Sequence, residues 1–167
     1  QLHEKVVAAF SVFKRALQNL REDKVPVEKL VITSRITHEL ENYKSPTPAV
    51  RAARQLLQKT GRRVHPGQKM RFVFTRGTPD VFPWEMEGDL DVSQLDKEKY
   101  IELLARAASS VLYPFGVELE ELKQWAHSAT IELPLKFERQ VPHVRPVLNH
   151  VRPRRDEGYA GFGGSAG

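Results

Sequence analysis

The sequence predicts a mainly α-helical domain with a few short strands, a fold of the α+β class. Two long segments, 2–20 and 97–115, repeat apolar residues every three or four positions, which is the spacing of one helix face. A β-branched run at 30–33 and an alternation of residue types at 69–75 are typical of strands. We therefore expect a small antiparallel β element within a helical domain.

The first predicted helix covers residues 2–20 and carries a wide apolar stripe. A stripe of this kind is typical of a surface helix that packs on a core. The stripe is formed by Leu2, Val6, Phe10, Phe13, Leu17 and Leu20. Pro26 prevents the helix from continuing, because proline lacks a backbone N–H and clashes with the preceding turn.

Residues 30–43 are predicted to form a strand followed by a short helix. The strand at 30–33 is short and buried according to its β-branched composition. The segment 36–43 places Ile36, Leu40 and Tyr43 at helical spacing, which indicates a brief helix.

A second helix is predicted over residues 49–60, after a turn that contains two prolines. Thr47 is a favourable N-cap, and Pro48 fits the first helical position, where no intrahelical bond needs its N–H. Gly61 is expected to end the helix, because glycine readily adopts the left-handed conformation. The residues predicted to face outward or to lie at the helix exit are Arg51, Arg54, Lys59, Arg62 and Arg63.

A second strand is predicted at 69–75, after a turn at 65–68 that contains Pro and Gly. Alternation along a strand sends successive side chains to opposite faces. One face is expected to carry Met70, Phe72 and Phe74, and the other Arg71, Val73 and Thr75.

The remaining elements follow the second strand. Residues 77–94 are predicted to be irregular and acidic, with apolar anchors at Val81, Phe82 and Trp84. A long helix is expected over 97–115, and Gly116 is expected to end it. A short helix at 119–125 and an extended segment at 130–135 complete the pattern.

The last part of the chain, 136–167, has a different composition. Prolines alternate with arginines, and the sequence His-Val-Arg-Pro occurs at 143–146 and again at 150–153. Proline at this spacing excludes a helix and predicts an extended basic tail that becomes Gly-rich near its end. We therefore predict a folded domain over 1–135 and an extended tail over 136–167.

Composition excludes several classes of protein. The 167 residues contain no Cys, which excludes disulfides, thiolate metal sites and Cys nucleophiles. The sequence contains no apolar run of membrane-spanning length and no signal-peptide pattern. We therefore expect no membrane partner. Because the chain opens on Gln1 inside a helical pattern, we expect a fragment or a subunit of something larger.

The charges of the chain are arranged in blocks. Residues 30–76 contain ten Lys or Arg against two acidic residues, whereas 77–125 contain four against eleven. Residues 136–167 contain six against three, so the tail is basic as well. A block of one sign creates a field, and a positive field of this size indicates a polyanionic partner.

Motifs for catalysis are nearly absent from the sequence. It contains no Gly-rich phosphate loop, no His pair at metal spacing and no strand-to-helix nucleophile turn. Asp89 and Asp91 are the one candidate, since paired carboxylates can hold two Mg²⁺ ions. A bare D-x-D is a weak motif, and the acidic neighbours Glu85 and Glu87 favour a solvated loop. We expect no catalytic or metal-binding residue here.

Cationic and hydroxyl side chains gather around the turn before the second helix and around the ends of that helix. The residues are Lys44, Ser45, Thr47, Arg51, Arg54, Arg62 and Arg63. Such side chains, together with helix N-terminal amides, bind phosphate oxygens and carry no base code. The pattern predicts duplex binding without sequence preference.

Five short motifs follow one another in an order and spacing that are typical of a known family. They are PVEKLVI at 26–32, ITHELENYK at 36–44, PAVRAAR at 48–54, RVHPG at 63–67 and YIE at 100–102. On these motifs, residues 1–125 resemble the thumb domain of the family B DNA polymerases, especially the archaeal and bacterial members. Ala49 and His65 stand where the family usually has His and Arg.

The resemblance implies a helical, thumb-like domain that closes over the primer–template duplex in DNA replication or repair. In that family the catalytic aspartates and the Mg²⁺ ions belong to the palm, which precedes the thumb in the chain. The resemblance therefore implies two partners, duplex DNA and the palm and fingers portion, and a non-catalytic role for this chain. The chain would be either the thumb of a longer polymerase or the small subunit of a split one. The resemblance also implies a DNA-associated protein of the cytoplasm or nucleoid.

The resemblance also completes the predicted DNA-binding set. Tyr43 and His65 belong to its motifs, and Arg35 belongs to the same basic block. The full set is Arg35, Tyr43, Lys44, Ser45, Thr47, Arg51, Arg54, Arg62, Arg63 and His65.

Two other functions remain as alternatives. The first is a protein–protein adaptor, whose acidic block and long helix dock a polymerase catalytic subunit while DNA contact is incidental. The second is an independent metal-dependent enzyme that uses Asp89 and Asp91.

Overall fold

The structure, a computed structural model, describes residues 2–127 and the side chains from residue 4 onward. It contains mostly helices and one three-stranded antiparallel sheet, which confirms the predicted fold class. The helices are α1 (Leu2–Arg21), α2 (Pro48–Thr60), α3 (Lys97–Leu112) and α4 (Leu119–His127), and the strands are β1 (Ile32–Arg35), β2 (Lys69–Phe74) and β3 (Val81–Pro83). The extended segment predicted at 130–135 and the tail predicted at 136–167 lie outside the described residues.

The described residues divide into two compact units. Residues 2–24 and 97–127 form the helical unit, and residues 25–96 form the sheet unit. No helix in the part of the chain that the structure describes is both long and apolar enough to cross a membrane.

The helical unit consists of α1, α3 and α4. Helix α3 packs against both α1 and α4. From Val6 to Leu20 the apolar stripe of α1 is buried as predicted, and the ring of Phe10 meets that of Trp125 edge-on, with centroids 5.5 Å apart. Helix α3 ends at Leu112, three residues before its predicted end, and continues as a single 3₁₀ turn over Tyr113–Phe115. Pro114 accounts for the change, because its nitrogen cannot donate to the helix.

The sheet unit is built on three antiparallel strands in the order β1-β2-β3. Ile32 pairs with Phe72, and Phe72 pairs in turn with Pro83. The face of β2 that carries Met70, Phe72 and Phe74 is buried. Helix α2 packs against β2 and β3, and Lys69 and Arg71 on the opposite face of β2 are exposed.

One prediction for this sheet was wrong. The segment 77–94 was expected to be irregular, yet it contains β3 and 3₁₀ turns at Trp84–Asp89 and Val92–Gln94. Because β3 pairs with β2, β2 is the central strand of the sheet. Val73 and Thr75, which the alternation assigns to the same face as Arg71, are buried.

The segment between β1 and α2 also differs from the prediction. The strand begins at Ile32, two residues later than expected, because Val27–Leu30 forms a 3₁₀ turn. The helix predicted at 36–43 is reduced to one 3₁₀ turn at Leu40–Asn42. The carbonyl that would accept the first helical hydrogen bond is used elsewhere, since Ile36 O accepts from Gly67 N at 2.7 Å, and Glu39 is extended with ψ 143°.

Candidate nucleic-acid interface

The start of α2 has the predicted capping arrangement. Thr47 is the N-cap, and its Oγ1 accepts a hydrogen bond from Val50 N at 3.4 Å. Pro48 occupies the first helical position, and Gly61 ends the helix in the left-handed conformation with φ 76°. The Thr47 hydroxyl accepts from Val50 N and can still donate its own proton to a phosphate oxygen. The predicted contact of Thr47 with phosphate therefore stays a prediction.

Arg51 is engaged inside the sheet unit. Its Nε and Nη2 atoms donate to the two carboxylate oxygens of Asp80 at 3.0 and 2.8 Å, and its Nη1 atom donates to Pro46 O at 2.8 Å. This bidentate pair joins the turn before α2 to the segment that leads into β3. Arg51 therefore holds the turn in place rather than pointing freely to solvent.

Arg54 has a similar internal role. Its Nε and Nη2 atoms donate to Leu40 O at 3.2 and 2.6 Å, and Nη2 also donates to Tyr43 O at 3.1 Å. Arg54 was predicted on the outer side of α2, but it is half-buried. The correction follows from the lost helix at 36–43, whose carbonyl groups are left for the guanidinium to bind.

The two arginines beyond α2 are paired with acidic residues. Arg62 Nη1 lies 2.6 Å from Glu85 Oε2, and Arg63 Nη1 lies 2.6 Å from Glu41 Oε1. A backbone hydrogen bond and the hydrogen bond from Arg63 lower the pKa of Glu41, so this carboxylate stays charged at neutral pH. With Arg51, three of the ten cations of the positive block are thus paired with acidic side chains of the sheet unit.

Tyr43, Lys44 and Ser45 lie on the turn before α2, and His65 lies on the turn before β2. The Tyr43 hydroxyl accepts hydrogen bonds from Thr37 N at 3.0 Å and His38 N at 3.1 Å, which fixes the loop after β1. Lys44, Ser45 and His65 have exposed side chains. Lys44 and Ser45 form no hydrogen bond or ion pair among residues 2–127, so they remain available for phosphate.

The Tyr43 hydroxyl gives a direct test of this loop. In Tyr43→Phe, we expect the free energy of unfolding to fall by about 1 kcal/mol, because two backbone donors lose their acceptor. Amide hydrogen exchange at Thr37 and His38, measured by NMR, should become faster, while exchange of amides within α2 should change little. Unaltered exchange at both residues would show that the Tyr43 hydroxyl does not protect these amides, and would contradict the two hydrogen bonds.

A second group of cations lies on the sheet. In the β1–β2 register Arg35 is opposite Lys69, and Thr33 is opposite Arg71. Because side chains two residues apart share a face, all four residues lie on one face. Arg35, Lys69 and Arg71 are exposed. We call Thr33, Arg35, Lys69 and Arg71 the basic sheet face.

Lys69 and Arg71 were not in the predicted site. The alternation of β2 correctly separates Arg71 from Met70 and Phe72, but it does not reveal which strand lies beside Arg71. Only the register of β1 and β2 brings Arg35 to Lys69. The missing information was therefore the pairing of the strands.

Asp89 and Asp91 lie in exposed positions on the segment after β3. Asp91 Oδ1 accepts from Ser93 Oγ at 2.7 Å and from Ser93 N at 3.0 Å, so it caps a 3₁₀ turn. These two hydrogen bonds lower the pKa of Asp91. Within residues 2–127, no group of three or more Asp, Glu or His side chains is placed to hold a metal ion.

Comparison with known proteins gives consistent matches. The family model of DNA polymerase family B matches residues 1–114. The DNA polymerase of Thermococcus hydrothermalis is 32% identical over 126 residues, which cover 72% of this chain and 7% of that protein. The DNA polymerase of Pyrococcus horikoshii is 30% identical over 135 residues, which cover 78% of this chain and 11% of that protein.

A solved structure agrees with these matches. The family B DNA polymerase from the hyperthermophilic archaeon Pyrobaculum calidifontis superimposes with a TM-score of 0.54 and 26% identity, over 65% of this chain and 14% of that chain. The relatives and this structure are of one class, the DNA polymerases. The chain belongs to DNA polymerase family B, as its five motifs indicated. It spans only a small part of the length of the curated relatives, 7% of the Thermococcus hydrothermalis protein and 16% of the Thermococcus gorgonarius one.

Proposed function

We propose that this chain is the thumb of a family B DNA polymerase and grips the primer–template duplex by its phosphate backbone in replication or repair. The observation that carries the proposal is the family match over residues 1–114, which contains the whole basic block. A surface that binds phosphate and lacks base-reading groups suits a protein that must hold any sequence.

The arrangement before α2 supports a division of work among the predicted residues. Arg51 and Arg54 bind carboxylate and carbonyl oxygens of the sheet unit and so fix the turn that leads into α2. Lys44 and Ser45 are exposed on that turn. In this proposal the two arginines position the turn, while Lys44, Ser45 and the Thr47 hydroxyl contact phosphate.

The chemistry of nucleotide addition belongs, in this proposal, to a palm and fingers portion outside this chain. That portion would hold the Mg²⁺ ions. Nucleotide addition would take place in the cytoplasm or nucleoid, where the DNA lies. The small share of each relative that this chain spans supports such a partner. It is consistent with the thumb of a longer polymerase and with the small subunit of a split one.

Duplex binding by the full 167-residue chain tests the proposal. Fluorescence anisotropy with a labelled primer–template duplex should give similar affinities for unrelated sequences. The affinity should fall about tenfold or more between 50 and 200 mM NaCl, because each phosphate contact releases counterions.

Four results would count against the proposal. Absence of duplex binding at 50 mM NaCl would contradict it, and tight binding that ignores salt would contradict the phosphate contacts. Mg²⁺-dependent nucleotide incorporation by this chain alone, abolished in Asp89→Asn, would support the enzyme alternative. An adaptor would instead bind a palm-bearing polymerase portion equally well with and without DNA.

A further inference from the structure

We infer that the basic sheet face is a second phosphate-binding surface, which contacts the duplex backbone apart from the turn before α2. The inference rests on the proposed function and adds a location and a set of residues to it. It starts from the β1–β2 register, which places Arg35, Lys69 and Arg71 side by side around Thr33.

The three cations of this face differ from three arginines elsewhere in the sheet unit. Arg51, Arg62 and Arg63 each pair with an acidic side chain, namely Asp80, Glu85 and Glu41. Arg35, Lys69 and Arg71 form no ion pair among residues 2–127. The positive charge of the face is therefore uncompensated in the part of the chain that the structure describes.

The face is also ordered in a way that favours a defined ligand. Arg35 Nη1 donates to Gly67 O at 2.8 Å, which orients the guanidinium without neutralising its charge. The same turn is tied to the end of β1 because Gly67 N donates to Ile36 O at 2.7 Å. A guanidinium held in this way loses less conformational entropy when it binds phosphate.

The dimensions of the face suit a nucleic-acid backbone. Residues two apart on a strand are separated by about 6.6–6.8 Å, and opposite residues by about 4.5–5.5 Å. One strand of a duplex carries a charge about every 3.4 Å along the axis. Three cations in this arrangement therefore cover about two or three phosphates, and the Thr33 hydroxyl adds one neutral donor.

The composition of the face favours a duplex over a single strand. Surfaces that bind single strands combine cations with aromatic side chains on which bases stack. The four positions of the basic sheet face contain no aromatic residue, and Phe82, which is opposite Val73 farther along the same face, is half-buried. Recognition through charge and hydroxyl groups alone suits the outside of a duplex, where the bases are stacked inside.

A triple variant of the full chain, Arg35→Gln, Lys69→Gln and Arg71→Gln, tests the inference. Its affinity for a primer–template duplex at 100 mM NaCl should fall about tenfold or more. The slope of log affinity against log salt should become shallower by about two to three, because three phosphate contacts are lost.

A matched variant controls for net charge. This control removes the same charge from other exposed positions by Lys5→Gln, Arg15→Gln and Lys29→Gln. We expect its affinity for the duplex to stay within about threefold of that of the unmodified chain. The double variant Lys69→Gln and Arg71→Gln keeps the Arg35–Gly67 hydrogen bond. The slope of log affinity against log salt should still become shallower by about two. This result would show that the loss comes from the phosphate contacts of Lys69 and Arg71 and not from a disturbed turn at Gly67.

The outcomes separate the inference from the proposed function. If the unmodified chain does not bind duplex, the proposed function itself fails. If it binds and the triple variant binds equally well, the basic sheet face is not a contact surface and the inference alone fails. The inference would also be overturned if the triple variant and its matched control lost duplex affinity equally. The same holds if the chain bound a single strand more tightly than the duplex.

Discussion

Replacing Phe72 with alanine is expected to lower the free energy of unfolding of the sheet unit by about 3–5 kcal/mol. Phe72 has no exposed surface, and its ring meets that of Phe74 edge-on with centroids 5.4 Å apart. Its backbone pairs with Ile32 on one side and Pro83 on the other. Because two neighbouring strands fix the residue, the surrounding side chains cannot collapse into the cavity, and the loss should be near the upper end of that range.

The two tryptophans allow the stability of the sheet unit to be measured separately from that of the helical unit. Trp84 lies in the sheet unit and Trp125 in the helical unit. In a Trp125→Phe background, the fluorescence of Trp84 during urea unfolding reports the sheet unit. Phe72→Ala should shift the midpoint to lower urea with little change of slope.

Val92→Ala is the matched control for this measurement. Val92 is 56% exposed, so its truncation should change stability by no more than about 0.5 kcal/mol. Equal midpoints for Phe72→Ala and Val92→Ala would contradict the packing described for β2. The basic sheet face depends on the same strand, so loss of this core should also abolish its contribution to duplex binding.

The helices could be predicted because their signals are local. The stripe of α1 repeats within a few residues, and the start of α2 is marked by Thr47 and Pro48, which interact with the backbone immediately beside them. Gly61 and Gly116 ended their segments as expected, since both adopt positive φ. Signals of this kind need no knowledge of distant parts of the chain.

The errors occur where a distant residue decides the structure. The helical spacing at 36–43 is present in the sequence, but Gly67 N binds the Ile36 carbonyl that would accept the first hydrogen bond of such a helix. Strand β3 is three residues long, which is too short for alternation to be visible. In both places tertiary contacts override local preference.

The candidate site shows the same limit. Counting charges identified the basic block, yet it could not show that Asp80, Glu41 and Glu85 neutralise three of its arginines. Each of those pairs joins residues more than twenty positions apart. The cations without an acidic partner on the basic sheet face became visible only when the register was known.

Arg54→Met should have the second large effect, a loss of about 2–3 kcal/mol in the free energy of unfolding of the sheet unit. Hydrogen bonds from charged groups contribute more than neutral ones, and Arg54 donates to the carbonyls of both Leu40 and Tyr43. Methionine keeps most of the aliphatic volume, so the decrease in the free energy of unfolding measures the contribution of the guanidinium group. Lys59→Met, at an exposed position of α2, is the control and should change stability by no more than about 0.5 kcal/mol.

Arg54→Lys then separates geometry from charge. Lysine keeps the positive charge but lacks the planar fork that binds two carbonyls at once, so less than half of the lost stability should return. If Arg54 acts by positioning the turn, the slope of log duplex affinity against log salt should stay within about half a unit in both variants. A slope that falls by about one in Arg54→Met and recovers in Arg54→Lys would instead show that Arg54 contacts a phosphate directly.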